Sequence, residues 1–479
     1  MSDAFPTRRA RMEYVCMGCG HRFPVDRLIY TCPDCGGVML LEDLDFDSMK
    51  EKGAAFWRSL FDSRRATRIR ALRGVFRFYE LMAPVLEEDD IVYLGEGDTP
   101  VIEAAQALQK KVGRRFAYKN DGQNPSASFK DRGMAGAYSY LKSLVRSHGW
   151  KEVLTICAST GDTSAAAAMY GAYVGEPIRT VVLLPHGKVT PAQLSQPLGS
   201  GAQVLEVPGV FDDCMKVVEY LADHYRVALL NSKNSWRVLG QESYAYETAQ
   251  WYGWDLAGKA MFMPIGNAGN ITSMISACLK MRRLGIIDEM PHIVGVQSEH
   301  ADPVWRYYSQ PAQDRRYEPV QVQPSVAQAA MIGNPVSFPR VKSLVERFEQ
   351  AGGRFDVVQV TEQAIMDSMI LANRHGHIAC TQGGESFAGM LRAQESGILE
   401  KDEFCILDST AHALKFAGFQ NMYFEDSFPQ AYGVHARAEL VNKPRLLFTP
   451  EEREAMPAGE FTRAAAQAVA AAAGLEAKE

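Results

Sequence analysis

Short, continuously apolar stretches alternate with longer helical stretches over most of this chain. From residue 94 onward, Ala-rich helical segments separate β-rich runs at 153–157, 180–184, 204–207, 227–230, 261–265, 293–296, 357–360 and 404–407. Strands that lack a polar face are buried on both sides, which is typical of mostly parallel sheets covered by helices. The pattern predicts an α/β fold with open, mostly parallel sheets, which bind ligands at the carboxyl ends of their strands.

Composition excludes several classes of protein. The chain has 479 residues, of which 47% are hydrophobic, enough for two or three domains with buried cores. A net charge of −6 with interspersed basic and acidic residues argues against nucleic acid as the main partner. No apolar run reaches the length of a membrane span, and the first residues show no signal-peptide core, so we expect no membrane partner and no secretion.

The nine cysteines form two populations. Five lie singly within apolar segments, which is typical of small core residues in a reducing compartment, and we expect a cytoplasmic protein. The other four form two Cys-x-x-Cys-Gly knuckles with short β-like runs around them: Cys16, Cys19, Cys32 and Cys35. This spacing predicts a closed, structural zinc ribbon with four cysteine ligands, and it favours zinc over two disulfides in such a compartment.

Lys130 ends a loop that runs from Asn124 and opens an Ala-rich helical segment. A lysine that forms a Schiff base needs its charged form disfavoured, by burial or by a cationic neighbour. Phe129 can supply an apolar wall, and Arg132 can supply a positive charge. The alternative is an exposed lysine at a helix start, beside a capping Ser128.

A second pattern, at residues 266–270, follows the apolar run 261–265 and precedes a helix. Glycines allow a backbone to approach an anion, and the free N–H groups of a helix N-terminus bind phosphate. A purely structural turn is the alternative. An amine together with a phosphate cradle matches the aldehyde and the phosphate of pyridoxal 5'-phosphate, which we predict as the cofactor.

Two further strand ends carry polar side chains. Residues 156–164 run from a strand through hydroxyls and a glycine into a helix, which suits a substrate carboxylate. Helix capping is the alternative there. Residues 407–410 end another strand with Ser409 and Thr410, whose hydroxyls can face a pyridine nitrogen or simply end the strand.

Six motifs in order resemble those of threonine synthases, in particular the plant-type branch. They span residues 95–100, 124–133, 158–164, 231–237, 266–270 and 409–415. The resemblance implies the type II fold of pyridoxal-phosphate enzymes, shared with tryptophan synthase β subunits, in which two open, mostly parallel sheet domains form the body.

The resemblance also implies roles for individual residues. Lys130, beside Phe129, would form the Schiff base, and Thr410, or as the second choice Ser409, would bind the pyridine nitrogen. The cofactor phosphate would be held by Gly266, Asn267, Ala268, Gly269 and Asn270. The substrate carboxylate would be held by Ser159, Thr160 and Thr163. The substrate phosphate would be held by Asn231, Ser232 and Arg237 together with Lys188, since an arginine fork suits a phosphate dianion.

The reaction implied is that of a carbon–oxygen lyase acting on phosphate. O-phospho-L-homoserine and water would give L-threonine and phosphate by γ-elimination and β-hydration, in amino-acid biosynthesis. The alternatives are a same-fold threonine or serine dehydratase or β-replacing synthase, and a non-catalytic zinc-ribbon adaptor.

Asp162 departs from many type II enzymes, in which an Asn donates a hydrogen bond to the phenolate oxygen of the cofactor. An ionised Asp cannot donate, so Asp162 must be protonated, turned away or hydrogen-bonded elsewhere. Some threonine synthases share this Asp. The run 380–386 also departs from the family pattern, and we assign it no role.

The domain organisation that we expect has four parts: a zinc ribbon at 1–41, a helical connector at 42–93, a two-lobed catalytic body at 94–430, and an extension with an Ala-rich helix at 431–479. The smaller lobe would occupy about 135–235 as an insertion in the larger one. By analogy with the family, we expect a homodimer.

Overall fold

The structure is a computed structural model of the whole chain. It describes residues 4–9, 11–159, 161–186, 191–209, 211–457 and 459–476, with the backbone alone at 191–193 and 211–212. Within these ranges, no helix is both long and apolar enough to cross a membrane.

The described part of the chain contains thirteen strands and seventeen α-helices. The strands are β1 (Met12–Cys16), β2 (Arg22–Pro24), β3 (Met39–Asp43), β4 (Val101–Glu103), β5 (Phe116–Asn120), β6 (Val153–Ala158), β7 (Ile178–Pro185), β8 (Gln203–Val207), β9 (Val227–Leu229), β10 (Lys259–Pro264), β11 (His292–Ser298), β12 (Arg354–Val360) and β13 (Phe404–Ser409). The helices are α1 (Gly53–Ser63), α2 (Tyr79–Met82), α3 (Gln106–Val112), α4 (Lys130–His148), α5 (Asp162–Val174), α6 (Pro191–Gly199), α7 (Phe211–His224), α8 (Ser235–Gln241), α9 (Ser243–Trp251), α10 (Gly269–Arg283), α11 (Pro303–Tyr308), α12 (Phe338–Gln350), α13 (Glu362–Arg374), α14 (Thr381–Glu395), α15 (Ala417–Glu425), α16 (Pro450–Ala455) and α17 (Glu460–Ala473).

The larger of two parallel-rich sheets has six strands in the order β12-β11-β10-β13-β5-β4. All neighbours pair in parallel except the edge strand β4, which runs antiparallel to β5. The central strands are buried along almost their whole length, as their apolar sequences require. This sheet confirms the α/β class that the alternating pattern predicts.

The smaller sheet has four parallel strands in the order β8-β7-β6-β9. It is built from the chain between β5 and β10, so it is an insertion between two strands of the larger sheet. The boundaries of the lobes proposed from the sequence stay a prediction.

The third sheet belongs to the N-terminal cysteine module and has the antiparallel order β2-β1-β3. Its buried residues Tyr14 and Met39 share a continuous apolar core with α1, α2, α4 and α8. The module is therefore packed into the body of the protein and does not stand apart from it.

All eight strands predicted from apolar runs are present, with bounds that differ by a few residues. The apolar pattern does not predict the short strand β4. Nor does it predict β5, which is buried throughout although it contains Lys119 and Asn120. The Lys119 ammonium is held by tertiary contacts, to Thr99 and Glu247, which a local pattern cannot reveal.

Helices α4 and α8 pack unusually close together because glycines face each other. A Cβ added at Gly240 would lie 2.1 Å from the carbonyl oxygen of Arg132, and one at Gly136 would lie 2.6 Å from that of Trp236. Such distances exclude any side chain larger than hydrogen without movement of the backbone. The close approach brings Arg237 on α8 next to the first turn of α4.

Candidate active site

Four strand ends converge between the two parallel sheets. In the large sheet, β10 leads into the turn at 266–270, and its neighbour β13 ends at Ser409. In the small sheet, β6 leads to Ser159, and its neighbour β9 leads to Asn231. Carboxyl ends of parallel strands are where open α/β sheets bind ligands, and the strand-end motifs singled out from the sequence lie there.

Lys130 is the first residue of α4 and is half-buried. Its Nζ lies 4.0 Å from the centre of the Phe129 ring, so that ring forms the predicted apolar wall. The Phe129 N–H donates to the carbonyl oxygen of Thr410 at 2.8 Å, and Ser128 pairs with Ala411. The lysine is thereby tied to the end of β13.

Burial lowers the pKa of Lys130 to about 8, and the nearby charge of Arg237 contributes to this lowering. The prediction that Arg132 supplies the positive neighbour is wrong. The Arg132 guanidinium is fully buried and is compensated by Asp121 and Glu247, at 2.7 and 2.8 Å. The positive neighbour that lowers the pKa of Lys130 is Arg237, which forms no ion pair among the described residues.

The alternative of an exposed lysine beside a capping serine does not hold. The side chain of Ser128 makes no cap hydrogen bond to α4, and its buried Oγ has no partner among the described residues. Buried hydroxyls in protein cores usually have a hydrogen-bond partner, so this unpartnered one indicates space for a ligand atom.

The turn at 266–270 has the geometry of an anion cradle. Ala268 adopts a left-handed conformation with φ of +62°, and α10 begins at Gly269 with no side chain capping its first N–H groups. Gly266 lies against the backbone of Ala330, since an added Cβ would lie 3.0 Å from its Cα. A 15-residue helix with uncapped amides directs its dipole at this turn.

The cradle and the lysine meet at the end of β13. Asn270 donates through Nδ2 to Asp408 Oδ2 at 2.7 Å, while the carbonyl of Thr410, two residues further, accepts from the Phe129 N–H. Burial raises the pKa of Asp408 well above its usual range, and its second oxygen has no partner among the described residues.

The hydroxyl of Thr410 lies 3.5 Å from the Sγ of Cys380, while the buried Ser409 Oγ has no partner in the described chain. Burial raises the pKa of the Cys380 thiol to about 11, so it stays protonated and can donate to Thr410. The sequence indicates for Cys380 only an isolated core residue. Its proximity to Thr410 depends on the packing of α14 against β13, for which the sequence carries no local signal.

Asp162 is buried and pairs with Lys415, whose Nζ lies 2.8 Å from Asp162 Oδ1. The same Nζ donates to the carbonyl oxygen of Ser126 at 3.0 Å. Of the three options for this carboxylate, the structure shows the one in which it bonds elsewhere. Lys415 ends the motif at 409–415, and the resemblance gives it no role of its own. The only feature of the sequence that could indicate this pair is the opposite charge of the two residues.

Arg237 and Asn231 form a second cluster of free donors. The Arg237 guanidinium is buried, donates through Nη1 to the Leu230 carbonyl at 2.9 Å, and leaves Nε without a partner among the described residues. The Nδ2 of Asn231 is equally unpartnered, while its Oδ1 accepts from the Lys233 N–H. Asn234 caps α8 through its side chain and so has a structural role.

The structure describes only some of the other residues predicted to bind the substrate carboxylate and phosphate. Ser159 and Thr163 flank the start of α5, and Ser159 Oγ accepts from the Gly161 N–H at 3.3 Å. Helix capping by a side chain, the alternative for this segment, is not seen at α5. Thr160 and Lys188 lie outside the described residues.

The residues present fit pyridoxal phosphate. An amine with a lowered pKa, a helix N-terminus with uncapped amides, and the unpartnered hydroxyls of Ser128 and Ser409 lie at the adjacent ends of β10 and β13. These are the donors that the aldehyde, phosphate and ring of this cofactor require. The same arrangement leaves the Arg237 cluster available for a second anion.

The four clustered cysteines lie together in the N-terminal ribbon. Their sulfurs are all within 4.8 Å of one another, with Cys16 and Cys35 at 3.4 Å and Cys19 and Cys32 at 3.6 Å. None forms a disulfide. Sulfurs bound to one tetrahedral zinc at about 2.3 Å would be roughly 3.8 Å apart, so the cluster fits a zinc ion.

Comparisons with known proteins agree with this geometry. A family model described as pyridoxal-phosphate dependent enzyme matches residues 92–409. Threonine synthase of Methanocaldococcus jannaschii is 36% identical over 403 residues, which cover 84% of this chain and 92% of the relative. Threonine synthase 2, chloroplastic, of Arabidopsis thaliana is 32% identical, over 82% of this chain and 74% of the relative.

Two solved structures show the same fold. Threonine synthase from Escherichia coli superposes with a TM-score of 0.61 at 17% identity, covering 92% of this chain and 94% of its own. Maize serine racemase superposes with a TM-score of 0.55 at 18% identity, covering 68% and 92%.

Proposed function

This chain belongs to the threonine synthase family of pyridoxal-phosphate dependent enzymes, and from that membership we propose that it converts O-phospho-L-homoserine and water to L-threonine and phosphate. The observation that carries the proposal is the second cluster of free donors. Lys130 and the turn at 266–270 suit the cofactor, and the unpartnered nitrogens of Arg237 and Asn231 then remain for a phosphate on the substrate.

When bound, the cofactor withdraws electrons from the α-carbon of an attached amino acid and makes its protons acidic. Lys130 accepts the α proton, because a pKa of about 8 leaves part of its amine neutral near neutral pH. The same amine then returns protons to the carbon chain. Phe129 keeps water away from one side of it.

Arg237 binds the phosphate of the substrate through its free Nε, with Asn231 Nδ2 as a second donor. The resemblance to the family adds the hydroxyl of Ser232. Charge-assisted bonds of this kind stabilise the phosphate as it departs from the γ-carbon with the electrons of the broken bond. A proton is lost from the β-carbon as well, and the electrons of its C–H bond form the β–γ double bond while the phosphate leaves. The γ-carbon then takes up a proton, the hydroxyl of water adds at the β-carbon, and return of the α proton gives L-threonine. Ser159 and Thr163 hold the substrate carboxylate throughout.

The turn at 266–270 would hold the phosphate of the cofactor, and Thr410 would hydrogen-bond its ring nitrogen. The ion pair of Asp162 and Lys415 would contact the phenolate oxygen of the ring, since Asp162 stands where many type II enzymes have the Asn that donates to that oxygen. An ionised Asp162 cannot donate to that oxygen, whereas the ammonium of Lys415 can, so the ion pair together replaces a donor amide.

The cysteine cluster binds a structural zinc ion, because four sulfurs leave no open position for catalysis. We further propose a cytoplasmic homodimer of the plant-type branch. The five cysteines that lie singly in apolar segments are typical of a reducing compartment, and the dimer follows from the resemblance to the family.

Release of phosphate by the cofactor-loaded protein tests the proposal, with O-phospho-L-homoserine, O-phospho-L-serine and homoserine as substrates. We expect release from the first at least about tenfold faster than from the second, and no reaction of the third. Arg237→Ala should reduce kcat/KM for O-phosphohomoserine about a hundredfold, or about 2.7 kcal/mol in transition-state binding.

The matched control is Arg226→Ala, since that exposed arginine lies in the same lobe and donates to the Glu152 carbonyl, away from the strand ends. If Arg237→Ala kept the wild-type rate, the substrate assignment would be wrong.

A dehydratase would act on serine or threonine and would need no second anion site. A non-catalytic adaptor would bind no cofactor, and the purified protein would be colourless.

A further inference from the structure

Arg340 is a buried cation outside the residues already assigned to the site. It lies in the first turn of α12 and is completely inaccessible to solvent. In the described part of the chain, no carboxylate lies within ion-pair distance of it. A buried arginine without an acidic partner is costly, so its position calls for an explanation.

All three nitrogens of its guanidinium donate to neutral acceptors. Nη1 donates to the carbonyl oxygen of Ser232 and Nη2 to that of Lys233, both at 2.8 Å. Nε donates to the carbonyl oxygen of Met39 in the cysteine ribbon, also at 2.8 Å. The guanidinium fork therefore joins the loop at 231–235 to strand β3.

Neighbouring residues complete this clamp. Ser235 Oγ donates to the same Met39 carbonyl at 2.7 Å. On the other side of Arg340, the Ser337 N–H donates to the carbonyl oxygen of Asn267 at 3.1 Å. The start of α12 thus contacts both the turn assigned to the cofactor phosphate and the loop assigned to the substrate phosphate.

We propose that Arg340 is a positioning residue for the substrate phosphate: it holds the loop at 231–235, braced on the ribbon, so that Asn231, Ser232 and Arg237 converge on one anion. The fork binds carbonyl oxygens of the loop. The unpartnered side-chain donors of the same loop therefore remain available to a ligand in the cleft. The inference rests on the proposed function, which assigns those three residues to the phosphate.

The charge of Arg340 strengthens the same site. Its positive charge is not compensated by an acid among the described residues, and it lies directly behind a loop that binds a dianion. An uncompensated buried charge acts over a longer distance than a solvated one, because little water screens it. The cost of burying Arg340 is thereby reduced when the anion is bound.

The test compares Arg340→Met with Arg340→Lys in the cofactor-loaded protein. Methionine keeps an unbranched apolar chain and removes the fork, whereas lysine keeps the charge but supplies one donor group in place of the fork. We expect KM for O-phosphohomoserine to rise about tenfold or more in Arg340→Met, with kcat within about threefold of wild type. In Arg340→Lys, the logarithm of KM should still be raised by more than about half of the increase seen in Arg340→Met.

Binding of inorganic phosphate provides a readout that does not depend on turnover. In the cofactor-loaded protein the cradle at 266–270 is filled, so added phosphate reports on the second anion site. Its dissociation constant, measured by calorimetry, should rise about tenfold or more in Arg340→Met, while the visible absorbance of the bound cofactor stays unchanged.

Arg64→Met is the matched control, since Arg64 is also buried but pairs with Glu80 in the connector. It should leave both constants within about twofold of wild type. If Arg340→Met fails to fold, Ser235→Ala combined with Ser337→Ala tests the same clamp and should raise both constants about threefold or more. A folded Arg340→Met with unchanged KM and unchanged phosphate binding would overturn the proposal.

The two proposals fail in different ways. If wild type does not act on O-phosphohomoserine, the proposed function is wrong, and binding of inorganic phosphate still tests the clamp. If wild type is active and Arg340→Met binds phosphate and substrate normally, the clamp alone is wrong.

Discussion

The lowered pKa of Lys130 depends in part on a residue that lies far from it in the chain. Phe129 is its neighbour in sequence, but Arg237 reaches it only because α8 packs on α4 through facing glycines. Burial and this second cation both disfavour the ammonium form, and together they lower the pKa from 10.5 to about 8.

The lowered pKa predicts how attachment of the cofactor depends on pH. Only the neutral amine attacks an aldehyde, so the rate at which the apo-protein develops visible absorbance should rise up to a pH of about 8 and then level off. Rapid mixing of apo-protein with pyridoxal phosphate across a pH series measures this rate. Lys130→Ala should show no such absorbance, and a rate that still climbs at a pH of about 10 would contradict the prediction.

The role of Asp162 depends on its partner, Lys415. Asp162 is buried beside the site, and the ion pair with Lys415 satisfies its charge. A buried carboxylate without its cation is strongly unfavourable.

Lys415→Met should weaken binding of pyridoxal phosphate about tenfold, or about 1.4 kcal/mol, because the variant loses a donor and leaves Asp162 uncompensated. Absorbance titration of the apo-protein measures the dissociation constant. Adding Asp162→Asn to Lys415→Met should recover most of the loss, since a neutral amide needs no cation. Wild-type affinity in Lys415→Met alone would show that the pair does not face the cofactor.

Among the elements, the cysteine ribbon has the clearest connection to the rest of the fold. Strand β1 contributes Tyr14, whose hydroxyl accepts from Trp236 Nε1 at 3.1 Å and bonds to the Tyr140 hydroxyl at 3.0 Å. The rings of Tyr140 and Trp236 stack with centres 4.3 Å apart. The ribbon therefore packs on α4 and α8, the helices that carry Lys130 and Arg237.

The cluster predicts one zinc ion per chain in the purified protein. Cys32→Ser removes a buried ligand and should abolish zinc binding, which elemental analysis measures. Because the ribbon shares its core with the body, the melting temperature should fall by about 5 °C. Cys214→Ser, a buried cysteine outside the cluster, should retain the zinc. Full stability of Cys32→Ser without metal would show that the ribbon does not need the ion.

At the scale of the whole molecule, a buried charge network joins the large sheet to the helices of the site. Arg132 on α4 contacts Asp121 after β5 and Glu247 on α9, and Lys119 on β5 also contacts Glu247 at 2.9 Å. The charges of Arg132 and Lys119 outweigh burial and hold the pKa of Glu247 far below its usual range, so that carboxylate stays ionised. The network fixes the first turn of α4 against the large sheet.

Arg132→Met should reduce the free energy of unfolding by about 3–5 kcal/mol, because it removes the guanidinium that pairs with two buried carboxylates, Asp121 and Glu247. Urea unfolding followed by far-UV circular dichroism measures the change. Arg115→Met is the comparison, since its pair with Glu103 is exposed and should contribute less than about 1 kcal/mol. Equal losses in the two variants would contradict a structural role for the buried network.

Most of the fold follows from the pattern of apolar residues. The eight strands of the body that the apolar runs predict are all present, because a buried parallel strand needs a continuous apolar run. The short strands around the two cysteine knuckles are present as well. β5 escapes such a prediction because Lys119 and Asn120 interrupt its pattern, and the charge of Lys119 is satisfied only by residues distant in sequence.

The sequence by itself determined the class of fold, the cysteine cluster and the loops that carry the chemistry, since each depends on residues close together in the chain. The tertiary structure alone decided which charges meet. It placed Arg237 beside Lys130, Lys415 on Asp162, and Arg340 behind the loop at 231–235. Electrostatic and hydrogen-bond partners depend on distance in space, and a linear pattern does not contain that distance.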